Sequence, residues 1–148
     1  MKYECIIDIE LPRDRVIALF DNTENLFKWQ RGLKAFEPLE GEPGQVGAKS
    51  LLRFRHGKKD IELIETITQR DLPERFAGTY ETKGVFNLVD NRFEATGEHQ
   101  TRWVSNVEFE FQGFMRLMGL FRGMFCKQSM SYMQDFKNFA ENGVDVNA

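Results

Sequence analysis

"GFMRLMGLFRGMFCKQSMSYMQDF", residues 113–136, holds five of the six methionines in a chain of 148 residues that is otherwise 41% apolar and 29% charged. The apolar part is too short to cross a bilayer. Phe114 to Cys126 is thirteen residues and includes two arginines, whereas a spanning helix needs about 20 mostly apolar residues. Helical periodicity accounts for it better. Phe114, Met118, Phe121, Phe125, Tyr132, Phe136 and Phe139 recur at spacings that stack them on one helical stripe. Arg116, Lys127, Gln134, Lys137 and Glu141 fall opposite, and Gly143 in "ENG" supplies a stop. The spacing predicts one long amphipathic helix. Leu117, Leu120 and Met124 widen its first half beyond a single stripe. Gly113, Gly119 and Gly123 in that half each cost about 0.5–1 kcal/mol relative to alanine, a sign of close packing or mobility.

Upstream, "YECIIDIEL" alternates as a strand and meets Pro12, which suits a helix start, so a short helix is expected over 13–21. Asn22 or Thr23 can cap a second short helix ending before Gly32. Six strand-like runs follow, from "LKAFEPLEGE" through "AKSLLRFRH", "KDIELIETITQ", "ERFAGTYETK" and "VFNLVDNRFEA" to "TRWVSNVEFEF", separated by "PGQVG", "HGKK", "DLPE", "KG" and "TGEH". Connections this short make antiparallel neighbours. The expected fold class is α+β: a single domain over 1–148, with a curved seven-stranded antiparallel sheet around a long C-terminal helix and two short helices between the first two strands.

The formal charge of −3 comes from interleaved acids and bases without a basic stripe, which argues against a nucleic-acid partner. Cys5 and Cys126 form no ligand-type spacing with the two histidines, so neither a disulfide framework nor a metal site is expected, and a reducing cytoplasm is the expected location. "MKYECIIDIELP" lacks the continuous apolar region of a signal peptide.

The order of elements, "WQRGLKAFEPLEGEPGQVGAKSLLRF", "ETITQRDLPERFAGTYETKG", and "TRWVSNVEFEF" before a Met- and Phe-rich helix together resemble the START/polyketide-cyclase-like superfamily, or SRPBCC, of helix-grip proteins. The resemblance covers almost the whole chain. It implies a cavity between sheet and helix, used across the superfamily for lipids, sterols, polyketides and other apolar molecules. A minority of members are cyclases, dehydratases or oxygenase domains, so the resemblance narrows the fold more than the activity.

In "TRWVSNVEFEF" the alternation sends Trp103, Ser105, Val107, Phe109 and Phe111 inward. Tyr80 and Asn87 fall on the inward choice for their strands, with the opposite register open for "VFNLV", while "DIELIETI" contains apolar residues on both alternations and leaves the direction of Glu65 open. The candidate ligand-binding set is Trp29, Phe54, Glu65, Tyr80, Asn87, Trp103, Ser105, Phe114, Met118, Phe121 and Phe125: a few polar groups in an aromatic wall. Mutually satisfied buried polar groups are the alternative for Tyr80, Asn87, Ser105 and Glu65, and Trp29 could equally anchor the second helix.

Catalytic motifs are weak. His56 and His99 flank expected hairpin turns far from a pocket, "GEPGQVG" leads into a strand and so is a turn, and Cys126 lies on the polar side of the helical wheel. Three functional readings follow. The first is binding or transport of an apolar or amphipathic small molecule, with no cofactor. The second is a metal-free cyclase or dehydratase in which Glu65 and Tyr80 move a proton. The third is a protein-interaction module, or homodimer, formed through Leu117, Leu120 and Met124.

Overall fold

A computed structural model describes residues 1–148. Strand β1 (Lys2–Ile9) leads through Pro12 into α1 (Arg13–Phe20) and α2 (Thr23–Trp29). Pro12 sits at φ −58°, already suited to helix entry. The Asn22 side chain caps α2 by accepting the Asn25 N–H at 3.1 Å. Then come β2 (Leu33–Glu40), β3 (Lys49–His56), β4 (Lys59–Asp71), β5 (Arg75–Thr82), β6 (Val85–Gly97) and β7 (Gln100–Phe111). All seven strands form one antiparallel sheet in the order β1-β7-β6-β5-β4-β3-β2, so each strand from β2 to β7 lies beside its neighbour in sequence and β1 pairs on β7. The expected topology holds.

Directly opposed residues in an antiparallel pair point to the same face. Trp103 faces Phe93, Ser105 faces Asn91, Val107 faces Val89 and Phe109 faces Asn87, so Val85, Asn87 and Val89 take the inward register. Asn87 in turn faces Tyr80, and Tyr80 faces Glu65. Glu65 therefore points to the concave side.

The end of the curl nearest α1 and α2 is solid. Phe20, Trp29, Phe93, Trp103 and Phe136 interlock there, with ring centroids 5.0 Å apart for both Phe20–Phe93 and Trp29–Phe136. Most of these contacts are edge-to-face, the arrangement that aromatic quadrupoles favour. A buried hydrogen bond from Trp103 Nε1 to Asn91 Oδ1 (2.9 Å) satisfies both groups. The Trp29 indole N–H is the one buried side-chain polar atom with no partner. A smaller cluster of Leu33, Leu52 and Phe54 fills the β2–β3 edge.

One expectation is overturned. Residues 113–142 are not a single α-helix: Gly113–Phe121 is a 3₁₀ helix, and α3 runs over Arg122–Asn142. A 3₁₀ helix has three residues per turn, so residues i and i+3 eclipse. "GFMRLMGLF" has that period, with Phe114, Leu117 and Leu120 on one face, Met115, Met118 and Phe121 on another, and Gly113, Arg116 and Gly119 on the third. The first face lies in solvent, with Phe114 98%, Leu117 68% and Leu120 81% exposed. Met115 and Met118 are half-buried, and Phe121 at the junction is exposed. Phe114 and Phe121 thus do not continue the inward stripe, which starts at Phe125 and is carried by Met133, Phe136 and Phe139.

Two polar-side assignments on α3 also change. Cys126 packs partly buried against the core, and the Lys137 ammonium donates to the Asp8 carbonyl and to Glu141. Both face β1, the element α3 touches most. Gly143, at φ +69°, ends the helix as expected, a backbone shape that costs glycine little.

Candidate functional site

Four polar side chains form a band across the concave face. Asn87 on β6, Tyr80 on β5, Glu65 on β4 and Ser50 on β3 are successive cross-strand partners, and such pairs have Cβ atoms about 4.5–5.5 Å apart. The row toward the packed end is Val107, Val89, Gly78 and Ile67. The row on the other side contains Phe111, Val85, Thr82, Leu63 and Leu52. The band therefore lies between two largely apolar rows.

Burial changes along this face. Trp103, Phe93 and Ile67 are buried, whereas Glu65, Tyr80, Asn87, Val85, Leu63, Phe109 and Phe111 are only half-buried although they line the concave side. This half of the concave face, the groove, is covered less completely than the packed end. Phe125, from the first turns of α3, closes one wall by packing on Phe109 and Phe111 with centroids 4.9 and 5.6 Å away. The Tyr3 hydroxyl fixes that part of α3 to β1, bonding to Ser129 Oγ at 2.7 Å and donating to the Phe125 carbonyl at 3.1 Å. Burial pushes the Tyr3 phenol up to about 12. The 3₁₀ helix stands at the mouth. Its Met115 rests on the β5–β6 turn, where Gly84 has φ +77° and an added Cβ would stand 2.8 Å from Met115 Cγ.

The Tyr80 hydroxyl lies over Gly78, where an added Cβ would meet it at an ordinary contact distance of 3.8 Å and would press on the Thr66 carbonyl at 3.0 Å. Burial raises the Glu65 carboxyl above its ordinary range, and the adjacent Tyr80 hydroxyl opposes that only in part. The Tyr80 phenol is held well above its usual range, first by burial and then by the Glu65 charge. Asn87 donates one amide hydrogen to the Glu108 carbonyl at 3.0 Å. Glu65 and Tyr80 thus stand side by side across β4 and β5, between the two apolar rows.

The sequence candidates separate into three places. Glu65, Tyr80, Asn87 and Phe125 come together in the groove, with Met118 on the half-buried face of the 3₁₀ helix at its mouth. Trp29, Trp103 and Ser105 belong to the packed end, and Phe54 belongs to the β2–β3 edge cluster. Phe114 and Phe121 face solvent. Ser50 was not among the candidates, although its alternation with Leu52 and Phe54 in "AKSLLRF" marks it as inward.

His56 ends β3, exposed beside the β3–β4 turn and away from the groove; it borders a separate open cleft of 190 Å³ with Arg31, Gln128, Ser131, Tyr132 and Asp135. The Arg31 guanidinium makes a two-point contact with Asp135 there, at 3.2 and 3.1 Å. A larger cleft of 610 Å³ near Arg13, Arg75 and Arg92 is lined mostly by charged groups of both signs and suits no apolar guest. No group of three or more His, Cys, Asp or Glu side chains is placed to hold a metal ion. No helix is long and apolar enough to cross a membrane.

No protein-family model and no curated protein matches the sequence. Solved structures match its fold along nearly its whole length. The Zhui aromatase/cyclase from Streptomyces sp. R1128 superimposes with a TM-score of 0.78 at 13% identity, covering 95% of this chain and 93% of its own. Ara h 8.0201 gives 0.77 at 14% identity, covering 95% and 97%. Norcoclaurine synthase from Thalictrum flavum, solved with dopamine and hydroxybenzaldehyde, gives 0.71 at 14% identity, covering 93% and 83%. With its seven-stranded sheet, paired short helices and terminal helix, the chain has the helix-grip fold that these structures share.

Proposed function

We propose that the groove binds an apolar or amphipathic small molecule carrying a ring and at least one hydrogen-bonding group. The observation that carries this reading is the half-open band of Glu65, Tyr80 and Asn87 between two largely apolar rows, with the Phe109–Phe111–Phe125 wall beside it. Apolar surface supplies affinity at about 25 cal/mol per Å² before the costs of association, and the polar band orients the guest. Two similar folds, an aromatase/cyclase and a synthase solved with aromatic ligands, support the choice of a ring-bearing guest. Calorimetric titration with naphthol and naphthalene tests it. Naphthol binds more tightly than naphthalene, and Tyr80→Phe with Glu65→Gln narrows that preference while leaving naphthalene unchanged. Equal affinities in the wild type, or no binding of either, would sink the proposal.

One observation favours a second reading. A carboxyl group raised by burial and set against a phenol is equipped for proton transfer in a cyclisation or dehydration. Under that reading Glu65→Gln abolishes turnover of a polyketide-like substrate while its binding persists; retained turnover would exclude Glu65 as the proton carrier.

A further inference from the structure

The 3₁₀ helix presents an apolar ridge that nothing in the fold covers. Phe114, Leu117 and Leu120 lie along one face, and Phe121 and Met124, each about half exposed, continue the apolar surface toward α3. Large exposed apolar patches on a folded domain mark contact surfaces. Charge identifies the contact. From Phe111 to Gln134 the chain has no Asp or Glu but carries Arg116, Arg122 and Lys127, all exposed, within a protein of net charge −3. Arg122 is held beside the ridge by donating through Nε and one terminal nitrogen to the Lys2 carbonyl, each at 3.2 Å.

The flanking acids do not offset this local charge. Glu110, paired in register with Phe86, lies on the convex side of β7, and Asp135 is engaged by Arg31. A two-fold pairing of the ridge with its own copy would set these cations against one another, and like charges in contact disfavour that dimer. An apolar face on a segment that carries cations and no acids suits the interface of an anionic bilayer.

We infer that Gly113–Phe121 is a membrane-docking element, with Phe114, Leu117 and Leu120 entering the headgroup region of an anionic lipid surface while Arg116, Arg122 and Lys127 contact its phosphates. This surface stands on different residues from the groove band and does not depend on what the groove binds. It does place the groove mouth, through Met115, next to the bilayer.

Co-sedimentation with vesicles tests the assignment. Vesicles of phosphatidylcholine with about one third phosphatidylserine retain the protein, and pure phosphatidylcholine vesicles retain it far less. Each cation contributes about fivefold at such a surface, so Arg116→Gln with Lys127→Gln lowers binding by about 25-fold. Raised salt has the same sense of effect. Leu117→Asp with Leu120→Asp abolishes binding, and because both side chains are already in solvent, the melting temperature stays at the wild-type value. Equal binding to neutral and anionic vesicles overturns the assignment, as does full binding by the double aspartate variant. Absence of vesicle binding overturns it as well, and a concentration-dependent dimer lost in that variant would then give the ridge to a second copy.

Discussion

Replacing Glu65 with glutamine tests how the groove treats charge. Burial raises the folded-state pKa of Glu65 above its ordinary value near 4.5. A carboxyl raised on folding binds its proton more tightly in the native state. Its contribution to stability is therefore fully present below the unfolded pKa and is lost as pH climbs through the folded one. Each unit of displacement is worth about 1.4 kcal/mol. Glutamine keeps the shape and can still meet Tyr80 without ionising. At about pH 4, where the carboxyl is largely protonated in both states, wild type and Glu65→Gln unfold at nearly the same denaturant midpoint. The variant then becomes the more stable of the two as pH rises to about 8. For a domain of this size the gain is about 2–4 °C of melting temperature per kcal/mol. Urea titrations at the two pH values measure it. A gap that does not change with pH, or a variant that is weaker at the higher pH, would refute a partly buried carboxyl with no cationic partner on the concave face.

Phe136 has no exposed surface and meets Phe20, Trp29 and Trp103; Phe136→Ala should cost about 3–5 kcal/mol in chemical denaturation. Tyr3→Phe removes the bonds to Ser129 and the Phe125 carbonyl, a loss of about 1 kcal/mol, and hydrogen exchange should quicken in the first turns of α3 before it does elsewhere. Gly84→Ala forces a side chain onto φ +77° and into Met115. A loss of about 1–2 kcal/mol is expected from the backbone alone, with the Met115 methyl resonance displaced.

The sheet was legible because alternation and short connections are local signals, and every run from "LKAFEPLEGE" to "TRWVSNVEFEF" became a strand. Both short helices were marked by their own residues, Pro12 and Asn22. Glu65 is left open by its own strand because Ile64 puts an apolar residue on the alternation opposite to the one that Glu65 shares with Ile61, Leu63 and Ile67. Only pairing to Tyr80 resolves it. The terminal helix misled because a spacing of three or four fits both helical periods over a short run. "GFMRLMGLF" repeats at three, and the glycines at 113 and 119 that lower α-helix propensity were the available hint. Trp103 and Ser105 alternate inward correctly, but which end of the curl is packed and which is open depends on where Phe20 and Trp29 dock.

The central claim is that the half of the concave face around Tyr80 is open to a guest. Methyl-resolved NMR titration with naphthol tests it most directly. The account predicts shifts at Leu63, Val85, Val89 and Met115 that diminish together in Tyr80→Phe. Shifts confined to Leu117 and Leu120, or none at any concentration, would contradict it.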